Sequence, residues 1–467
     1  MSAPSSLGVN FAERPVEVTP LWQPAVTSGF ATSVAMWLVG FITHLPAVQA
    51  PPFVVGIILL ATMAAAGTWW GAQFPKQYAV RCGVASGLVT ASVNLLILGS
   101  LLASGERENE LRPNWAIVLA GFFAFGGGVG GFTAWLGQTL RAKGSGDPGE
   151  HSWLARFSIV AVFAAVPVIL SGGLVTSAKA GLAVPDWPNS FSTNMFLYPL
   201  AKMTGGVYYE HAHRLFGSLV GLTTLTLLVF TVIVDRRIWT KVLVGGVFGL
   251  VCFQGLIGGL RVTSATPTAD SLHAATEDNS ISLPLAMFHG ISGQITFAAL
   301  CGVAAVLSRR WIRSEDRDRV VDTGLSGMAT ATVVVLVMQL ILGAASRHFQ
   351  QLHALYSHAG FAVIVIAVSA MAGFRAVAAC KNPGARPLKS LGHGVLHSMV
   401  LQVVLGLVAL FLVLPYDGSP KRGPGLLFAT LHQANGAALL GLATALWVWT
   451  RRLVITESIA AGEVVAD

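Results

Sequence analysis

Apolar runs of about 20 residues, the length that crosses a hydrocarbon core as helix, follow one another along the whole chain with short polar connections between them. Twelve are predicted, near 27–47, 51–71, 80–103, 114–138, 154–176, 207–234, 241–261, 284–308, 325–346, 352–374, 391–414 and 425–449. The pattern describes an all-α polytopic membrane protein. A polar, glycine-rich connection at 139–153, TLRAKGSGDPGEHSW, is the clearest break in it. It separates an N-terminal four-helix transmembrane module, 1–140, from an eight-helix remainder. The glycine run GGGVGG at 126–131 in that module reads as a place where helices approach closely.

The remainder repeats itself. SGGLVTS at 171–177 closes one span and EHAHRLFG opens the next, as LILGAASRH at 340–348 and SHAGFA do later. FQGLIGGL at 253–260 and FHGISG correspond in the same order to LQVVLGLV at 401–408 and LHQANG. Two pseudo-symmetric four-helix bundles are expected, 154–319 and 320–467, related by an axis along the membrane normal. Each carries two histidines at matching places. His213 and His289 are 76 residues apart, His358 and His432 are 74 apart, and each lies about six residues into its span.

Composition agrees with the pattern: 54% of residues are hydrophobic and 11% charged, against roughly 25% charged in a soluble domain. The net charge of +8 raises nucleic acid as a partner, and its distribution excludes it. With both termini inside, the inner segments hold 20 of the 29 lysines and arginines, from Arg14, Lys76 and Arg81 through the cluster Arg309 to Arg319 to Arg451 and Arg452. Arg107, Arg112, Lys179, Lys202, Arg261, Arg347, Lys421 and Arg422 fall in outer connections. That bias is the positive-inside rule, so the basic charge reports orientation: N- and C-termini cytoplasmic, histidines toward the outer face. The first residues lack the apolar core of a signal peptide and the arginines of an organellar presequence, which points to a bacterial inner membrane. Cys82, Cys252, Cys301 and Cys380 are scattered, without CxxC, so disulfides and thiolate metal sites are not expected.

A polar ring at membrane depth needs a hydrogen-bond partner or a metal. One histidine there is more simply satisfied by a carbonyl; four in register favour ligation. A four-helix bundle aiming two imidazoles at its centre is a standard way to hold a haem, whereas zinc wants three or four protein ligands. Gly217, Gly221, Gly290, Gly293, Gly360 and Gly436 near the histidines would leave room for a porphyrin, or simply let helices pack. The first bundle carries two further groups: Glu210, three residues before His213 on the same helical face, and Arg214. The second has Leu355 and Ala359 there. Glu210 can serve as acid or base or stabilise a developing cation, and Arg214 can pair with a porphyrin propionate. The alternative is a plain Glu210 to Arg214 ion pair. His211 points away from that face and reads as an interface residue.

Taken together, GGLVTSAKAGLAVPDWP at 172–188, the ExxHR of Glu210, His213 and Arg214, QGLIGGLRVT at 254–263, and the His358 and His432 pair with QVVLGL at 402–407 resemble the haem A synthase family. The resemblance spans residues 154–449. It implies oxidation of the C8 methyl of haem O to the formyl of haem A for terminal oxidases, through an alcohol and a hydrated aldehyde. It implies substrate haem between His213 and His289, a haem b cofactor between His358 and His432, and a catalytic Glu210. Haem O, the lipid bilayer, haem O synthase and cytochrome oxidase assembly factors are the partners it implies; a homo-oligomer is left open. Two features depart from the family: the outer-loop cysteine pair of many members is missing, and the N-terminal four helices are additional. A diheme electron-transfer protein that converts nothing, and a twelve-helix transporter, are the competing readings.

Overall fold

The computed structural model describes residues 19–104, 110–141, 152–267, 276–277, 279–380, 383–413 and 422–455. Arg14, Arg107, Lys143, Lys381, Lys421 and most of the 139–153 connection lie outside these residues. The chain is a multi-pass, all-α membrane protein with twelve helices long and apolar enough to span among the described residues. The N-terminal module comprises α1 (Trp22–His44), α2 (Pro52–Gly71), α3 (Ala79–Leu98) and α4 (Trp115–Leu140). The first repeat follows as α5 (Trp153–Ser177), α6 (Gly205–Val234), α7 (Ile238–Ser264) and α8 (Ser282–Leu307). After the short α9 (Arg309–Arg313) come α10 (Leu325–Phe349), α11 (Leu352–Ala379), α12 (Arg386–Val413) and α13 (Gly423–Leu453). Several helices outrun their apolar runs: α1 starts at Trp22 and not 27, and α12 at Arg386 and not 391. Backbone hydrogen bonding carries a helix through the interface, where hydropathy has already fallen.

In each repeat every helix packs on the next and the last closes on the first, giving two four-helix rings, α5 to α8 and α10 to α13. They meet through α8 and α13, with α5 also on α13 and α10 also on α8. Exchanging the two rings leaves this contact pattern unchanged, so a pseudo-two-fold passes between α8 and α13. At one end of the bundle Val320 and Val321 pair in parallel with Val454 and Ile455, tying the link between the repeats to the end of α13.

The N-terminal module has the ring order α1, α3, α4, α2. A Cβ on Gly126 would lie 2.8 Å from the Gly87 carbonyl oxygen, so α3 and α4 touch backbone to backbone, which only glycine allows. The module docks on the first ring by an aromatic seam. Trp22 meets Phe230 at 4.6 Å, Phe30 meets Phe157 at 5.3 Å, and Phe41 meets Phe216 at 5.3 Å. At the far end Phe41 stacks on Tyr208, whose hydroxyl donates to the Phe41 carbonyl at 2.6 Å.

Candidate functional site: two facing histidine pairs

The histidines open the α6, α8, α11 and α13 spans. His213, His289, His358 and His432 stand eight, seven, six and nine positions after the first residues Gly205, Ser282, Leu352 and Gly423. His213, His289 and His432 lie two residues deeper than the sequence pattern alone suggests, because α6, α8 and α13 begin before their apolar runs; α11 begins with its run, and His358 stands at the expected depth. The rings close the two bundles in pairs. His213 faces His289 with centroids 6.1 Å apart and planes at 89°; His358 faces His432 at 6.2 Å and 86°.

What holds each ring is the preceding, antiparallel helix. A Cβ on Gly172 of α5 would sit 3.0 Å from His213 Cε1, and one on Gly258 of α7 3.3 Å from His289 Cε1. On α10 and α12 the corresponding distances are 2.8 Å, from Gly343 to His358 and from Gly406 to His432. Each imidazole thus lies in a notch that a side chain would fill. Four residues before the glycine on α5 and on α10, a backbone carbonyl takes one ring nitrogen: His213 Nδ1 donates to Val168 O and His358 Nδ1 to Gln339 O, both at 3.2 Å. A carbonyl only accepts, so in these two rings it fixes the proton on Nδ1 and leaves the lone pair on Nε2. His289 Nδ1 and His432 Nδ1 have no hydrogen-bond partner, and His432 Nε2 stands 3.4 Å from the Gln402 side-chain amide nitrogen.

The glutamine side chains complete the frame. Gln254 donates to Ser292 on α8 at 2.7 Å, Gln339 to the His358 carbonyl at 2.9 Å, and Asn435 on α13 donates to Gln402 at 2.8 Å. Of the glycines singled out in the sequence, Gly217, Gly221, Gly290 and Gly360 leave room, since a Cβ there would meet nothing within 4 Å, whereas a Cβ on Gly293 or Gly436 would meet the Gln254 or Gln402 side chain at 3.5 or 3.1 Å. The first four face open space, while the packing glycines lie on the opposite helices. The recurrence of Gln and Gly four apart, in QGLIG, QLILG and QVVLG, was the available signal for them.

Two imidazoles that each reached one metal over a bond of about 2 Å from opposite sides would have centroids roughly 6 Å apart. Both pairs fit. Among the described residues no third His, Cys, Asp or Glu joins either pair. Each site thus offers two imidazoles, the donor set of a metal whose equatorial ligands come from a macrocycle.

The first pair has a built-up surround that the second lacks. Glu210 is 5% exposed, and Arg214 donates to its Oε1 from both Nε and Nη2 at 3.1 Å. The Arg214 donors go further: Nη1 reaches the Asp186 and Asn189 carbonyls at 2.7 and 3.0 Å, and Nη2 the Val184 carbonyl at 2.9 Å. All five guanidinium N–H groups are engaged. Arg214 is therefore seated as a clamp between Glu210 and the PDWP loop, leaving no donor spare for a propionate, and Arg261 at the end of α7 adds positive charge near the carboxylate. Within the loop, Asp186 accepts from the backbone of Phe191 and Ser192, both at 2.7 Å, and supports their left-handed φ of 52° and 62°. Trp187 lies against α7, so close that a Cβ on Gly259 would come within 2.6 Å of its ring. His211 is 1% exposed, bonded to Ser190 Oγ at 3.0 Å and 5.0 Å from the Tyr198 ring. It is an internal post of the loop and not the interface residue expected. Burial pushes the Tyr198 phenol up. The second bundle joins α10 to α11 with Gln350 and Gln351 alone.

Residues 193–357 match the family described as cytochrome oxidase assembly protein, COX15-CtaA. The match takes in Glu210, His213, Arg214 and His289 and ends one residue before His358. No curated protein matches the chain.

Proposed function

We propose that the chain, whose residues 193–357 match the cytochrome oxidase assembly protein family, is a haem A synthase, oxidising the C8 methyl of haem O to a formyl group. The observation that carries this reading is the buried Glu210 one helical turn from His213 in a bundle whose two imidazoles face each other at 6.1 Å. His213 and His289 would hold the substrate haem, and His358 and His432 a haem b. The iron supplies redox chemistry that these side chains lack. The protein contributes orientation and a proton site. The notches of Gly172 and Gly258 hold both rings, and Glu210 offers a carboxylate to accept a proton from the reacting carbon or to stabilise it when electron-poor. Arg214 keeps that carboxylate in place. The lysine and arginine distribution supports an orientation with both termini on the inner side of the membrane and both sites toward the outer face.

The expected result is that Glu210→Ala retains haem in membranes and loses conversion of haem O. Unchanged haem A yield would remove the role given to Glu210. The near identity of the two histidine pairs favours a second reading, a diheme electron-transfer protein. Mass spectrometry of the extracted pigment decides: haem O, haem A or the intermediate alcohol supports the synthase, and haem b alone the second reading.

A further inference from the structure

Arg347 belongs to neither histidine pair, yet it touches the surroundings of both. It lies in the last turn of α10, where the charge pattern alone suggests an outer connection. Its Nη2 donates to the Gly173 carbonyl of α5 at 2.8 Å and to Ser177 Oγ; its Nη1 donates to Gln433 Oε1 of α13. Gly173 follows the glycine that backs His213, and Gln433 follows His432. A Cβ on Gly173 would also come within 3.0 Å of Thr430 Cγ2, so α5 and α13 are in close contact beneath the guanidinium. The pseudo-symmetry gives no counterpart. The residue four after Gly172, as Arg347 is four after Gly343, is Thr176, and its hydroxyl turns back to its own helix at Gly172 O, 2.9 Å away.

A guanidinium stays charged at any physiological pH and presents a planar fork. Half-buried and bonded to Gln433, the residue after His432, it carries a field that favours an added electron on whatever redox group His432 ligates. We propose that Arg347 is a positioning and tuning residue for the second site: it fastens the ligand helix α13 to the glycine wall of the first site and raises the reduction potential of the group held by His358 and His432. The inference rests on the haem reading of that pair and does not require that haem O be converted.

The test is a potentiometric titration, followed by visible absorption, of the purified full chain. The component missing from His358→Ala identifies the second site. In Arg347→Gln that component should move to a more negative potential while haem content is kept, and in Arg347→Lys it should stay near the parent. If Arg347→Gln fails to fold, Gln433→Glu sets a carboxylate against the guanidinium and should give the same negative shift. An unchanged second-site potential in the neutralised variant overturns the proposal and leaves the haem reading standing. An equal shift of both components overturns the assignment to the second site. A parent chain that carries no haem after expression with haem supplied overturns the haem reading and this proposal together.

Discussion

The two four-helix rings hold their histidines with the same device and differ in almost everything around it. In each, an antiparallel helix supplies a glycine notch and a carbonyl, and the rings face across 6.1 or 6.2 Å. Among the described residues, only the first adds a buried carboxylate, a saturated arginine clamp, a folded outer loop and an entire docked module. The two rings share the paired imidazoles, and the first alone pairs them with a buried carboxylate. The same comparison gives the N-terminal module a physical place, since its aromatic seam runs along α5 and α6 and ends on Tyr208, two residues before Glu210.

The sharpest way to break this comparison is to remove ligands one ring at a time. His358→Ala or His432→Ala should deplete haem b, and His213→Ala or His289→Ala should mainly perturb the substrate haem, each read as pigment bound per protein. The opposite spectral pattern would exchange the two roles. The two histidine pairs were legible in the sequence because four polar rings in apolar runs stand out against hydrocarbon, and the Glu210 and Arg214 asymmetry because it is local. The notches were not. Gly406 is 26 residues from His432 and Gly172 is 41 from His213, and no helical period says what a glycine on another helix will face. Arg214 was legible as a cation beside a ligand, but its five bonds depend on carbonyls of a loop whose path no periodicity describes. Arg347 shows the same limit, since its partners sit on two other helices.

A smaller effect separates the rings by tightness. A Cβ on Gly343 or Gly406 comes to 2.8 Å from its imidazole, so Gly343→Ala or Gly406→Ala forces the ring to move; Gly258→Ala at 3.3 Å needs only a slight shift. Overpacking of this kind costs about 1 to 3 kcal/mol. If it falls on the ligated state, haem affinity at the second site drops roughly fivefold to 150-fold, against a change of about threefold or less for Gly258→Ala. Haem titration of each apo-variant checks this, and equal losses at Gly258 and Gly406 would mean that the rings do not differ in tightness.

The smallest difference lies outside the membrane, where each ring is tied by one aspartate. Asp235, after α6, bonds its near neighbour Arg237 at 2.7 Å. Asp322, before α10, accepts from the backbone of Gly324 and Leu325 at 2.9 and 2.7 Å and from Arg375 on α11 at 2.8 Å. Burial would raise the Asp322 carboxyl, but the Gly324 and Leu325 amides and the Arg375 guanidinium outweigh it and hold it below the usual range. A carboxylate with a depressed folded value stabilises above its unfolded value, near 4, and loses that contribution as pH falls through the folded value. Asp322→Ala should therefore cost about 1 kcal/mol at neutral pH, the usual worth of a carboxylate at a helix start. The gap between parent and variant in thermal unfolding should narrow as the pH drops below about 4. Asp235→Ala frees only a contact between near neighbours and should cost less at every pH. A gap at Asp322 that stays constant into acid would assign the tie to the shape of the turn instead of its charge, and would remove the electrostatic part of the second ring's firmer fastening at this end.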